Sequence, residues 1–266
     1  MTFVTTIPTP GRQRVLDLGR AEWLRLRSGR SNLIFFLVIV LLPLVWCFQS
    51  ASSEQANWAT LSAAQRAAFD PVSSTMAGLY LSQVLIGVWS ALLFTGEYAS
   101  GSIRTTLTAA PRRAHLFVAK CAVAAVVMFV VMELAAVASF FFGQALLSSA
   151  GPPASMGLGD PVVVHALLGT GIYAALLAVM CVSLGALIRY TAGAALAVVA
   201  ITSVIYIISV ISTQFQTVVK FTPVGIFKDQ ISQVPSNSQW GGIVTMAVLS
   251  LIVAVAASLT FSRSDA

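Results

Sequence analysis

The chain has 266 residues, of which 58% are hydrophobic and only 9% charged, with a formal net charge of +6. A soluble domain carries roughly a quarter of its residues as charged side chains, so this composition excludes a water-soluble globular fold. The apolar residues fall in blocks long enough to cross a bilayer, and the basic residues sit beside those blocks, which points to membrane topology and away from nucleic acid.

In chain order, the first expected element is a helix over 12–30. At about 100° per residue Val15, Leu18, Trp23 and Leu26 share one face, flanked by Arg14, Arg20, Arg25 and Arg27. That is the pattern of an interfacial helix with snorkelling arginines. Glu22 falls inside the apolar stripe and speaks against it, leaving a disordered basic tail as the other reading. The first apolar block lies beyond residue 30 without a small-residue cleavage site, so no cleavable leader is expected and the first span, 32–48, stays as an anchor.

A polar, Ala- and Ser-rich segment holding Glu54, Arg66 and Asp70 leads to a second span over 72–94. The third, 116–147, is longer than a bilayer needs, so it projects into water or bends near Gly143. The Gly- and Pro-rich stretch 148–161 reads as a loop, after which Asp160 and Pro161 supply an N-cap and a first-turn proline. The fourth and fifth spans are expected over 162–188 and 194–212, and the last over 241–261. Residues 213–240 are too interrupted to span and too apolar for a free loop. They read as a re-entrant outer hairpin packed on the spans, with Pro223 and Gly225 at a turn or break.

Six spans put both termini on one side. That side carries the six arginines between Arg12 and Arg30, with Arg104, Arg112, Arg113, Lys120, Arg189 and Arg263; the other has Arg66, Lys220 and Lys228. By the positive-inside rule both termini are expected to be cytoplasmic. Twelve arginines against three lysines, with abundant alanine and valine, suggest a GC-rich bacterial genome and hence a bacterial inner membrane. Cys47, Cys121 and Cys181 lack CxxC spacing and a histidine cluster, so neither a disulfide framework nor a zinc site is expected. His115 and His165 read as boundary residues at opposite ends of spans.

The most informative stretch is EYASGSIRTTLTAAPRRAHLFVAK, Glu97 to Lys120. Gly101 permits a sharp break, Ser102 can cap a helix started by Ile103, Ile103 and Leu107 stand four apart, and Pro111 ends the segment. The expectation is one or two turns of helix that offer Ile103 and Leu107 to a partner groove, while Arg104 and Arg112 meet acidic groups around it.

This loop resembles that of the membrane (permease) subunits of the type-2 ABC exporter superfamily, where an acidic residue precedes Gly, Ser or Thr, Ile or Leu, and Arg, followed by Leu, Pro and Arg. Glu97, Gly101, Ser102, Ile103, Arg104, Leu107, Pro111, Arg113 and Lys120 match. The resemblance extends to the interfacial helix, the six spans and the outer segment before the last span. It implies that residues 97–113 form a coupling loop whose helix, from Gly101 to Pro111, contacts a separate nucleotide-binding ATPase subunit, present in two copies. It also implies a second permease chain, identical or related. Basic inner loops occur in any helical membrane protein, and that alone would account for Arg104, Arg112 and Arg113.

No GxxxxGK[ST] phosphate loop occurs, so the chain itself is expected to hold no cofactor, with ATP and magnesium on the partner. The resemblance implies export of an amphipathic substrate: a drug, an antimicrobial peptide or a lipid-like molecule. Glu133, the one acidic residue deep in a span, either lines the path or is a protonated packing contact to Gln83 or Tyr173. Gln83 and Gln144 are weaker path candidates. The alternative class is an ATP-independent channel or a membrane scaffold. A filter or repeated intramembrane charges would mark a channel, and neither is found.

Overall fold

The computed structural model describes residues 15–109, 113–148, 157–204, 207, 216–232 and 240–263. Among these the regular elements are all helical: α1 Val15–Ser28, α2 Arg30–Asn57, α3 Ala63–Ala67, α4 Pro71–Met76, α5 Leu79–Ala99, α6 Ile103–Ala109, α7 Arg113–Ser148, α8 Pro161–Ile188, α9 Thr191–Val199, α10 Gln216–Val219, α11 Pro223–Ile231 and α12 Gly241–Arg263. Five of them, α2, α5, α7, α8 and α12, are long and apolar enough to cross a membrane. The protein is therefore an all-α, multi-pass membrane protein.

The bundle is built around α8, against which α7, α5 and α12 all pack. Its Tyr173, Leu177 and Ala178 are wholly buried, and small residues on these helices let backbones approach. By contrast α2 exposes Leu33, Ile34, Leu37, Val45 and Phe48, and α12 exposes Val244, Leu251 and Ile252. In a bilayer such surfaces meet lipid or another chain, not water.

Pro43 interrupts α2 because it cannot donate to the Ile39 carbonyl. The Ser82 hydroxyl of α5 donates to that carbonyl instead, at 2.8 Å, so the gap is filled from the neighbouring helix. Gly78 seats against the same proline: a Cβ there would lie 2.6 Å from the Pro43 carbonyl oxygen. This crossing coincides with a break, so the apolar block expected as one span over 72–94 is divided into α4 and α5. The 36-residue α7 is continuous and about 54 Å long, well past the roughly 30 Å hydrocarbon core. Gly143 is a close-packing position within it, where a Cβ would meet Thr75 Cγ2 at 2.3 Å.

The Asp160 carboxylate accepts from Val162 N at 2.9 Å and caps α8, with Pro161 following as its first residue. Arg189 ends that helix in the left-handed conformation, and α9 runs on into a π-helical turn at Ala200–Val204. Beyond Val204 the expected fifth span lies, apart from Ile207, outside the described residues. In the outer segment only 216–232 and Trp240 are described. There Thr222 caps α11 and Pro223 opens it. Phe227 packs edge-on against Tyr80 and tilted on Tyr173, each with centroids 5.1 Å apart. Tyr173 lies about 18 Å along α8 from its start, so α11 reaches well into the bundle.

His165 is no mere boundary residue. It is buried, its carbonyl accepts from Gln230 Nε2 at 3.1 Å, and its ring meets Trp240 edge-on.

Candidate functional site

The ends of the bundle differ in charge. One gathers α1, the start of α2, the end of α5, α6, the start of α7 and the end of α8, and with them Arg20, Arg25, Arg27, Arg30, Arg104, Arg113, Lys120 and Arg189. Among the described residues the other end carries Arg66, Lys220 and Lys228.

At the basic end α5 stops at Ala99, and Gly101 takes φ +70°, the left-handed conformation open to glycine, which turns the chain into α6. The Ser102 carbonyl accepts from Thr106 N at 3.0 Å and from the Thr105 hydroxyl at 2.8 Å. Its own hydroxyl pairs with that of Ser100 at 2.9 Å. Ser102 thus starts the helix through its carbonyl, and the only hydroxyl contact found among the described residues runs back to Ser100.

The orientation of α6 differs from the sequence-based expectation. Ile103 is turned inward, only 5% exposed, and anchors the helix to the bundle. Arg104, Thr105 and Thr108 face outward, so among the described side chains the exposed face is polar and basic. Leu107 lies within the helix; Pro111 and Arg112 fall outside the described residues. Arg113 begins α7, and Arg189 stacks over the Tyr98 ring at 5.8 Å.

Glu97, two residues before the end of α5, is 1% exposed. It joins a buried ion network in which Lys120 Nζ of α7 donates to Glu97 Oε1 at 2.7 Å and to Glu22 Oε1 of α1 at 2.8 Å. Arg25, one turn beyond Glu22, also donates to Glu97 Oε1 and lies 3.7 Å from Glu22. Two carboxylates and two cations make the cluster neutral, which is how the buried Glu22, Glu97 and Lys120 tolerate burial, with Arg25 half exposed at its edge. Half-burial disfavours the charged Arg25 guanidinium, but the hydrogen bond to Glu97 and the charges of Glu97 and Glu22 outweigh it and hold its pKa above the ordinary arginine value.

This network explains why an acidic residue stands in the apolar stripe of α1: Glu22 is the tie between that helix and α7. Sequence reasoning placed Lys120 in the loop motif and treated Glu22 as an anomaly. The available signal was a pair of opposite charges, each isolated on an otherwise apolar helix face.

The three path candidates are not brought together. Gln83 is buried in α5 and accepts from the Tyr173 hydroxyl at 2.7 Å, so those two residues satisfy each other and not Glu133. Gln83 also lines a cavity of about 290 Å3 with Trp46, Tyr80, Thr202, Ser203 and Val224. Glu133 lies against Gly171, where a Cβ would come 2.6 Å from its Oε2. Gly171 and Tyr173 stand two apart on α8 and so project about 200° apart, on opposite faces. Gln144 is nearly buried near the far end of α7, and its amide makes no hydrogen bond among the described residues.

A helical bundle of apolar spans with a short polar helix held at its basic end defines a multi-pass membrane protein. A family profile agrees: that of the ABC-2 family transporter proteins matches residues 18–208, more than half of the chain, and the chain belongs to this family. Members of its membrane component are permeases, not catalysts, and normally work with a separate ATPase subunit. No curated protein matches the chain.

Proposed function

We propose that this chain, paired with a second permease chain identical or related to it, forms the translocation path of an ATP-driven exporter. Two copies of a separate nucleotide-binding subunit drive it. The observation that carries the reading is α6: a short helix with an outward basic face, set between two long helices and braced beneath by the Glu97–Lys120 pair. A loop so anchored transmits force to α5, α7 and α1 together, whereas a loose loop would absorb it. The basic end is then cytoplasmic, as the positive-inside rule requires, with α1 in the inner interface and α9 belonging to a sixth span. The membrane is a bacterial inner membrane.

The substrate is amphipathic: a drug, an antimicrobial peptide or a lipid-like molecule. The cavity beside Gln83 supports this, since apolar walls with a few convergent polar groups suit such a ligand. The α11 segment forms part of a re-entrant outer element beside that cavity.

Co-purification with the ATPase encoded beside the chain tests the reading. Reversing and blocking the outward face of α6 with Arg104→Glu and Thr108→Glu is expected to cut ATPase retention at least tenfold while the permease stays folded. A permease that purifies alone, or a double variant that retains the ATPase fully, refutes the coupling role.

A further inference from the structure

The sharpest unexplained surface lies on the other flank of α1. A trough of about 390 Å3 runs between α1 and α7, with Leu16, Gly19 and Trp23 on one wall and Ala122, Val123 and Val126 on the other. Its floor is low because Gly19 and the alanines of α7 have little side chain to fill it. Its walls stay open: Leu16 is 73%, Trp23 50% and Val126 64% exposed. Arg20 is the one charged residue in the lining. Arg27 follows it seven residues on, close to the same angle about the helix and about 10 Å further along it. Both are exposed, and among the described residues neither makes an ion pair, although Asp17 stands one turn before Arg20.

We infer that this trough is a binding site for an anionic glycerophospholipid of the cytoplasmic leaflet. One acyl chain lies between α1 and α7 and the phosphate meets Arg20, with Arg27 next along the flank. The inference rests on the proposed placement of α1 in the inner interface. An apolar slot alone would accept any lipid; the Arg20 guanidinium in its lining, with Arg27 next along the flank, favours a negative headgroup. A second copy of the chain is a poor occupant, because a two-fold contact here would set the same arginines against each other. Trp23 sits in the wall, with an apolar ring and a polar edge suited to the headgroup boundary.

Trp23 also reports occupancy. The purified chain is reconstituted without any ATPase into phosphatidylcholine vesicles. In one series increasing phosphatidylglycerol is brominated on its acyl chains; in the other, phosphatidylcholine is. The Trp23 contribution is taken as the emission of the wild type minus that of Trp23→Phe. Brominated phosphatidylglycerol is expected to half-quench it at a mole fraction at least threefold lower than brominated phosphatidylcholine. Arg20→Gln is expected to erase the difference while leaving quenching itself. Equal half-quenching by the two lipids in the wild type overturns the proposal, as does no quenching by either, which would mean that protein fills the trough. Because the assay needs neither ATPase nor transport, its failure leaves the exporter reading standing, and loss of ATPase binding leaves the lipid site standing.

Discussion

Lys120 is a wholly buried lysine whose ammonium is held between two carboxylates and 5.9 Å from the Phe94 ring centroid. Removing a single member of such a cluster is far worse than removing all of it, because what remains is an uncompensated buried charge. Lys120→Met is therefore expected to cost about 3–5 kcal/mol, seen as a lower Tm of the detergent-purified protein, because Glu22 and Glu97 are left sharing only Arg25. Combining it with Glu22→Gln and Glu97→Gln should recover most of that loss. A neutral Lys120→Met would show that the cluster does not hold α1 in place. The same logic separates Glu97 from the residues on the α6 surface: the acid at the head of the motif is buried in the cluster, while Arg104 and Thr108 are exposed.

At the scale of elements, the crossing of α2 and α5 depends on backbone contact. Gly78→Val would place side-chain atoms where the Pro43 carbonyl now lies. Overpacking of this kind costs about 1–3 kcal/mol, and denaturation in detergent should report it together with loss of the Ser82–Ile39 hydrogen bond. Its contrast, Gly96→Ala, meets nothing within 4 Å and should change little. These two glycines mark the limit of what was legible in the sequence. Elements set by local chemistry could be read in advance: Asp160 and Pro161 open α8, and Gly101 turns the chain. The division at Gly78 could not be read, because a glycine in an apolar run looks the same whether it is tolerated or pressed against a neighbour's proline. The inward turn of Ile103 was hidden for a related reason. In a helix as short as α6 the spacing gives a face, and only packing decides whether it points in or out. Likewise Glu133 looks the stronger path candidate and Gln83 the weaker, yet helix rotation puts Gln83 on a cavity and Glu133 against Gly171.

At the scale of the whole molecule, one neutral cluster ties together three helices far apart in the chain. Glu22 and Lys120 are separated by 98 residues. At roughly 5–20 residues per second of synthesis, about 5–20 s pass between the appearance of the acid and that of its cation. During biogenesis α1 is thus made first and docked late. With the basic end facing the cytoplasm as proposed, a truncated chain ending at Ala109 should let trypsin cleave at Arg25 faster in inside-out inner-membrane vesicles than one extended through α7, where Arg25 is half buried and held by Glu97. Equal cleavage of the two would separate α1 docking from the lysine. The buried lysine thus sets an order: the ion pairs that seat the amino-terminal helix form only once α7 has been made and lies beside α5.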